Sequence, residues 1–388
     1  MKEGQVYQLT EEQEMIRQMV RQLVQDKVGP IAARIDETED FPEECFEAFV
    51  ENGLFKLSLP EEYGGINCDS LTLSLIIEEI SKVSPASALM VFSTQSVIRV
   101  IKAAGNDEQK KRFFTGFSRG NRLGAFALTE PGYGSDAGSL QTKAVLQGPN
   151  YIMNGTKLFI TTADVAHYYL VFVRTGPGER SKGISGFIVE KGTSGFTIGK
   201  KENKMGLRGS ITAELIFQDA IVPKENRLGK EGDGWRILTE VGNQMRVWGV
   251  ASVSLGLAEG AYEYAMTYAQ ERRQFSRPIA DFQAVRFMLA DMKIGIEAAR
   301  SLIWRIAVMI DQNQGTKKEQ ETMVCIAKCF ASDIALRVTT DAVQILGAYG
   351  YMKDYPVERM MRDAKSTQII DGTNQIQRVI VARNILRP

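Results

Sequence analysis

LGAFALTE (123–130), TKAVLQ (142–147), YIMNGTKLFIT (151–161), YYLVFVRT (168–175), GISGFIVE (183–190), GFTIGK (195–200) and AELIFQDAIVP (213–223) are short runs rich in β-branched and aromatic residues, punctuated by Gly, Pro and Asn. Runs of that length bounded by turn formers predict strands, so residues 123–234 read as one β domain. On both sides the pattern changes to helical spacing. Upstream, Thr10 can cap a helix with Gln13 three residues on, and Met15, Ile16, Met19, Val20, Leu23 and Val24 recur on one face. Further helices are expected over 43–52, 70–81, 86–104 and 107–118, with the turn-rich PEEYGG (60–65) between the first two. Downstream, the period returns in long stretches that include 237–273, 281–313, 317–346 and 374–386. The expected class is α+β: an N-terminal α-helical domain (1–122), a central barrel-like or sandwich β domain (123–234) and a C-terminal helical bundle (235–388).

A chain of 388 residues is long enough for two or three packed units. Its 47 basic and 47 acidic residues cancel, so nothing calls for nucleic acid or another polyanion as partner. No run approaches the ~20 apolar residues of a membrane span. MKEGQVYQLTEEQ (1–13) lacks the apolar centre of a secretory signal and the Arg/Ser bias of a transit peptide, so a cytoplasmic protein is expected. Cys45, Cys68, Cys325 and Cys329 show no CxxC spacing and no neighbouring histidine, which leaves them as buried thiols rather than a disulfide framework or zinc site. His167 is the only histidine, and triad or multi-histidine metal chemistry needs positioned imidazoles, so no metal site is expected. No GxGxxG follows a strand in a βαβ context, which argues against NAD.

Four separated motifs remain: ALTEPGYGSD (127–136), NGTKLFIT (154–161), ERRQF (271–275), and the pair QILGAYGY (344–351) with DGTNQIQR (371–378). Each has a plain reading. The first is a Gly/Pro-rich connection at a strand end, either a simple turn or a place where backbone N–H groups and hydroxyls approach a ligand. The third is a solvated basic helix end, the glycines of the fourth are helix-end punctuation, and Asp371-Gly372 is a common turn pair. Together the motifs resemble the acyl-CoA dehydrogenase family over almost the whole chain. That resemblance implies non-covalently bound FAD, with Phe126, Leu128 and Thr129 against the isoalloxazine and Ser135 near the pyrophosphate and the CoA thioester chain. Phe159, Ile160 and Thr161 match the second flavin-contacting strand, Phe159 standing where many members carry Trp. Arg272, Gln274 and Phe275 are implied to reach the FAD of a neighbouring subunit, where a guanidinium can fork onto phosphate oxygens. Gln344, Ile345, Leu346 and Gly347 are implied to meet that same FAD, and Thr373, Asn374 and Gln375 to bind cofactor. A homotetramer and an electron-transfer flavoprotein as acceptor follow from the same likeness.

Removing a Cα proton from an acyl-CoA while a hydride leaves Cβ for flavin N5 needs a base within hydrogen-bond reach. By resemblance the base precedes a Gly-Thr pair, which makes it Asp371 where most members have Glu. The missing methylene retracts the carboxylate by roughly 1.5 Å, a displacement that can cost ~10²-fold in rate. Other branches carry the base just before the arginine corresponding to Arg246, but Met245 stands there and cannot accept a proton. Asn243 and Arg246 match a segment touching the CoA chain, and Gly372 is implied to touch substrate. ASALMVFSTQ (86–95), expected at the acyl end, has no Lys or Arg, which disfavours an ω-carboxylate. The space beside Cα points to a branched or alicyclic substrate such as cyclohexanecarboxyl-CoA. A backbone shift restoring the reach would leave an ordinary butyryl-type enzyme. A same-fold flavin oxidase or oxygenase, a desulfinase or decarboxylase, and an inactive interaction subunit are the further alternatives.

Overall fold

The computed structural model describes residues 9–178 and 180–386, so the outermost bounds expected for the terminal domains, 1 and 388, lie outside the described residues. The chain opens with α1 (Glu11–Leu23), whose Thr10 and Gln13 form a reciprocal capping box. Then come α2 (Ala32–Thr38), α3 (Glu43–Glu51), α4 (Ser70–Ser81), α5 (Pro85–Ala104) and α6 (Asp107–Phe117). Asp69 caps α4 and Ser84 caps α5, and every residue of α4 is buried.

Eight strands follow: β1 (Gly124–Ala127), β2 (Lys143–Gln147), β3 (Asn150–Thr161), β4 (Tyr168–Arg174), β5 (Ile184–Glu190), β6 (Phe196–Lys201), β7 (Thr212–Pro223) and β8 (Arg227–Leu228). They form one sheet in the order β6-β7-β3-β2-β4-β5-β8, with β1 parallel to β4. The sheet curls on itself: Phe196 of β6 meets Tyr169 of β4 at 4.8 Å and Tyr151 of β3 meets Phe187 of β5 at 4.9 Å. Inward residues of β1 to β7 thus enclose their own small core, the barrel-like arrangement expected.

The last part contains α7 (Gly234–Ile237), α8 (Asn243–Arg246), α9 (Ser252–Glu271), a two-stranded hairpin of β9 (Arg273–Gln274) and β10 (Arg277–Pro278), α10 (Gln283–Asp311), α11 (Lys317–Leu346), α12 (Pro356–Thr367) and α13 (Asn374–Leu386). The helices of the first and last parts share one continuous core, with α4 packed on α9 and α10. The stretch read as a single helix over 237–273 is instead broken twice by wide π turns, Leu238–Gly242 and Val247–Ala251. At the second, Gly249 leaves helical geometry, and a Cβ there would lie 2.1 Å from the Phe92 ring. Residues 247–261 are buried on every side, so there is no one-sided stripe whose phase could register the second break. Cys45 and Cys325 are buried as expected, whereas Cys68 and Cys329 are partly exposed, and all four are free thiols. His167 is half-buried, and burial with Arg122 nearby pushes its pKa down to about 4, leaving it neutral.

Candidate active site

The candidate residues fall into three groups. In the first, Leu128 and Thr129 continue from β1 beside β3, and Leu158 N donates to the Thr129 carbonyl at 2.8 Å. Phe126 packs on Phe172 at 5.4 Å. The register of β3 against β7 shifts between Lys157 and Ile160. Phe159 lies in that bulge with φ +59°, its ring 57% exposed. A fully buried ion pair fixes both strands: Lys157 Nζ donates to Glu130 Oε1 at 2.7 Å and to Leu128 O at 3.0 Å. Glu130 also accepts from the amides of Gln141 at 2.6 Å and Thr142 at 3.0 Å. Burial opposes ionisation of Glu130, yet Lys157 and these donors outweigh it and hold the carboxyl below its usual range. Neither residue stood out as functional in the sequence. The available signal was a lysine in step with the inward positions Tyr151 and Met153 of β3, which demands a buried carboxylate.

The second group surrounds Asp371, in the turn between α12 and α13. Asp371 and Gly372 have φ of +55° and +87°, the left-handed geometry of an Asp-Gly turn. Arg246 Nε donates to the Asp371 carbonyl at 3.0 Å and lies 4.0 Å from its carboxylate, while Arg246 Nη1 donates to Asn243 Oδ1 at 2.6 Å. Gln377 Nε2 donates to the carbonyls of Asp371 (3.2 Å) and Gly372 (3.0 Å). Asp371 Oδ2 is buried and accepts no hydrogen bond from the chain. Burial raises the carboxyl's pKa, with Arg246 and then Lys328 opposing the rise. Met245 beside Arg246 is buried.

The third group is the hairpin after α9. Phe275 and Ser276 form its two-residue turn, both at positive φ, and Phe275 is 88% exposed at the tip. Arg272 lies with its guanidinium 5.3 Å from the ring of Tyr349, next to the end of α11, where Gly347 (φ +63°) stops the helix. Gln344, Gly347, Gln274 and Gln375 are exposed, and Thr373 caps α13 through the Ile376 amide. The side chains of Ile160, Ile345, Leu346 and Asn374 point into the protein, so only their backbone can face a ligand. A cavity of about 740 Å³ between α1, α4, α9 and α12 contains none of the candidate residues.

Models of the acyl-CoA dehydrogenase N-terminal, middle and C-terminal domains match residues 10–121, 125–220 and 232–386. The chain is 47% identical to an acyl-CoA dehydrogenase of Bacillus subtilis, over 97% of this chain and 99% of that protein. It is 44% identical to a cyclohex-1-ene-1-carbonyl-CoA dehydrogenase of Geobacter metallireducens, over 98% and 99%. The solved butyryl-CoA dehydrogenase of Megasphaera elsdenii superposes with a TM-score of 0.94 at 39% identity, covering 98% of this chain and 100% of that one. The chain belongs to the acyl-CoA dehydrogenase family.

As an acyl-CoA dehydrogenase it is a flavin-dependent oxidoreductase with FAD as cofactor. The first group fits such a ring. Phe126, Leu128 and Phe159 offer aromatic and apolar faces, and among the described residues the hydroxyls of Thr129, Ser135 and Thr161 make no hydrogen bond within the chain, leaving donors for a heteroaromatic edge. The acyl-CoA dehydrogenase fold therefore brings together Asp371, Gly372, Arg246 and Asn243 as one cluster, and residues 126–129 with 158–161 as another.

Proposed function

We propose that this enzyme oxidises a compact acyl-CoA thioester to its α,β-unsaturated product, with Asp371 as the base that takes the Cα proton. The observation that carries this reading is the buried, unpartnered Oδ2 of Asp371, beside Arg246 and raised in pKa by burial. A carboxylate with a free lone pair in a low-dielectric site is poised to accept a proton. Arg246 orients the turn through the Asp371 carbonyl and opposes negative charge developing on the thioester, and Asn243 fixes the guanidinium. FAD, when bound, supplies the acceptor for the hydride from Cβ. Phe126, Leu128, Thr129 and residues 159–161 would hold its ring, and Ser135 would serve its pyrophosphate. The three domains span 1–122, 123–234 and 235–388.

Lys328, at the Asp371 turn, and Gln344 both lie on α11, sixteen positions apart, or ~24 Å at the helical rise. Arg272, Gln274, Phe275 and 344–347 accordingly serve the FAD of a second copy, as part of a homotetramer. Electrons leave to an electron-transfer flavoprotein.

For the acyl group, the short Asp371 side chain favours a ring or branch at Cα, in keeping with the 44% identity to a relative acting on a cyclohexene carbonyl-CoA. The butyryl-CoA dehydrogenase of Megasphaera elsdenii, at 39%, supports a short linear chain as the second reading. Anaerobic bleaching of bound flavin by butyryl-CoA, a branched acyl-CoA, cyclohexanecarboxyl-CoA and cyclohex-1-ene-1-carbonyl-CoA distinguishes them. The alicyclic esters are expected to react fastest, and Asp371→Glu to slow them while sparing or improving butyryl-CoA. Butyryl-CoA outpacing every cyclic and branched ester with the unaltered enzyme overturns the compact-ring reading in favour of the linear one.

A further inference from the structure

Lys328 sits in the middle of α11 with no solvent exposure. Its ammonium donates to the Gly372 carbonyl at 2.9 Å and to Asn374 Oδ1 at 2.8 Å, both neutral acceptors. No carboxylate lies within ion-pair distance of it among the described residues. An ammonium placed so is costly unless a charge nearby compensates it. The charged groups around it are Asp371, Asp333 and Arg246, with the thiol of Cys329 alongside, and Asp333 is already paired with Arg378 of α13 at 2.7 Å. Facing Asp371 itself are Arg246 from α8 and Lys328 from α11. The buried ammonium and the partly exposed Asp371 side chain are thus complementary across one turn. Asn374 relays the connection: its Nδ2 donates to Ser332 Oγ at 2.9 Å and Asp333 Oδ1 at 2.8 Å, tying the start of α13 to α11.

We propose that Lys328 is a positioning residue for the proposed base: its ammonium clamps the Asp371–Asn374 turn in its left-handed form and adds a fixed positive charge to that of Arg246 in keeping the Asp371 carboxylate ionised. This rests on the reading of Asp371 as the base. The lysine touches neither substrate nor flavin; it acts through the turn. Burial pushes its own pKa down to about 8, with Asp371 the foremost charge opposing the fall, so the group is still mostly a cation at neutral pH.

The test is single-turnover, anaerobic flavin reduction by the best acyl-CoA of the panel, followed against pH in the FAD-loaded enzyme. In Lys328→Gln, which keeps a donor and loses the charge, the acid limb of the rate profile is expected to move up by about one pH unit or more. Lys328→Arg, which keeps the charge, is expected to stay nearer the unaltered profile. A glutamine variant whose limb superimposes on that of the unaltered enzyme overturns the proposal, and so does an equal shift in both variants. If the glutamine variant does not retain FAD, salt decides with the unaltered enzyme. A limb set by a buried cation stays in place as ionic strength rises from about 0.05 to 0.5 M, whereas a limb that moves with screening points to exposed charges and overturns the proposal. Failure of the Asp371 reading is separately visible, because Asp371→Asn would then still reduce flavin rapidly.

Discussion

Asp371 is held by its backbone and left free at its carboxylate, an arrangement that ties a chemical outcome to one atom. Asp371→Asn retains the turn, whose hydrogen bonds are made to carbonyls, and removes the base. Acyl-CoA binding is expected to persist while anaerobic flavin reduction falls by ~10²-fold or more, and undiminished reduction would discard the assignment. The pH sign follows from burial. A raised pKa means the carboxylate is lost as pH falls through a value above the ordinary aspartate range, so the unaltered enzyme should slow on the acid side at a pH above about 4. A rate that holds down to the ordinary range would contradict this. The candidate base was legible in DGT only in company with the other family motifs, since an Asp-Gly pair by itself reads equally as a turn. Lys328 was not singled out, although it lies in step with Val324, Ala327 and Ala331 on the buried face of α11, because one charge in an apolar stripe reads equally as a residue whose stem is buried and whose head escapes to water.

At the scale of elements, strands and long helices were legible because their periods differ, and what escaped were features that do not change a period. The π turns around α8 and the helix α12 are of this kind. Only Val357, Met360, Asp363, Ala364 and Thr367 of α12 are buried, too thin and too polar a face to stand out. Asp363 is the instructive member. It is fully buried and accepts from the Leu207 amide, and burial pushes its pKa up to about 7. The folded state therefore holds a proton that the unfolded chain releases near pH 4. Its contribution to stability is complete below that pH and is lost as pH rises through about 7. Asp363→Asn, which can still accept from Leu207, should melt above the unaltered protein by a margin that grows from near pH 5 to near pH 8. Equal melting differences at both pH values would rule this out.

For the whole molecule, two cores divide the labour. The helical one joins the first and last parts of the chain, reinforced where Arg300 of α10 pairs with Glu78 of α4 and Glu259 of α9. The β core stands by itself and presents the strands proposed to face the flavin. Motif order along the chain gave no hint that distant helices share a core, since that depends on which faces meet. The Phe275 hairpin belongs to this scale too. Two non-glycine residues at positive φ and an 88% exposed phenylalanine are expensive features on a lone subunit. In the proposed tetramer the hairpin reaches a neighbouring flavin. Arg272→Ala is expected to loosen FAD retention, measured as cofactor lost on gel filtration, with light scattering reporting the assembly. Fully loaded monomers would dismiss a shared site.

Glu130 carries a consequence of another kind. Its carboxylate grips Lys157 on one side and the Gln141 and Thr142 amides on the other, so one side chain closes both ends of the loop over residues 131–140. Arg174 of β4 donates to the carbonyls of Gly138 and Leu140, so the sheet also grips the loop near its far end. With both ends pinned to one carboxylate, a change at Glu130 would release the whole stretch at once rather than a single hydrogen bond.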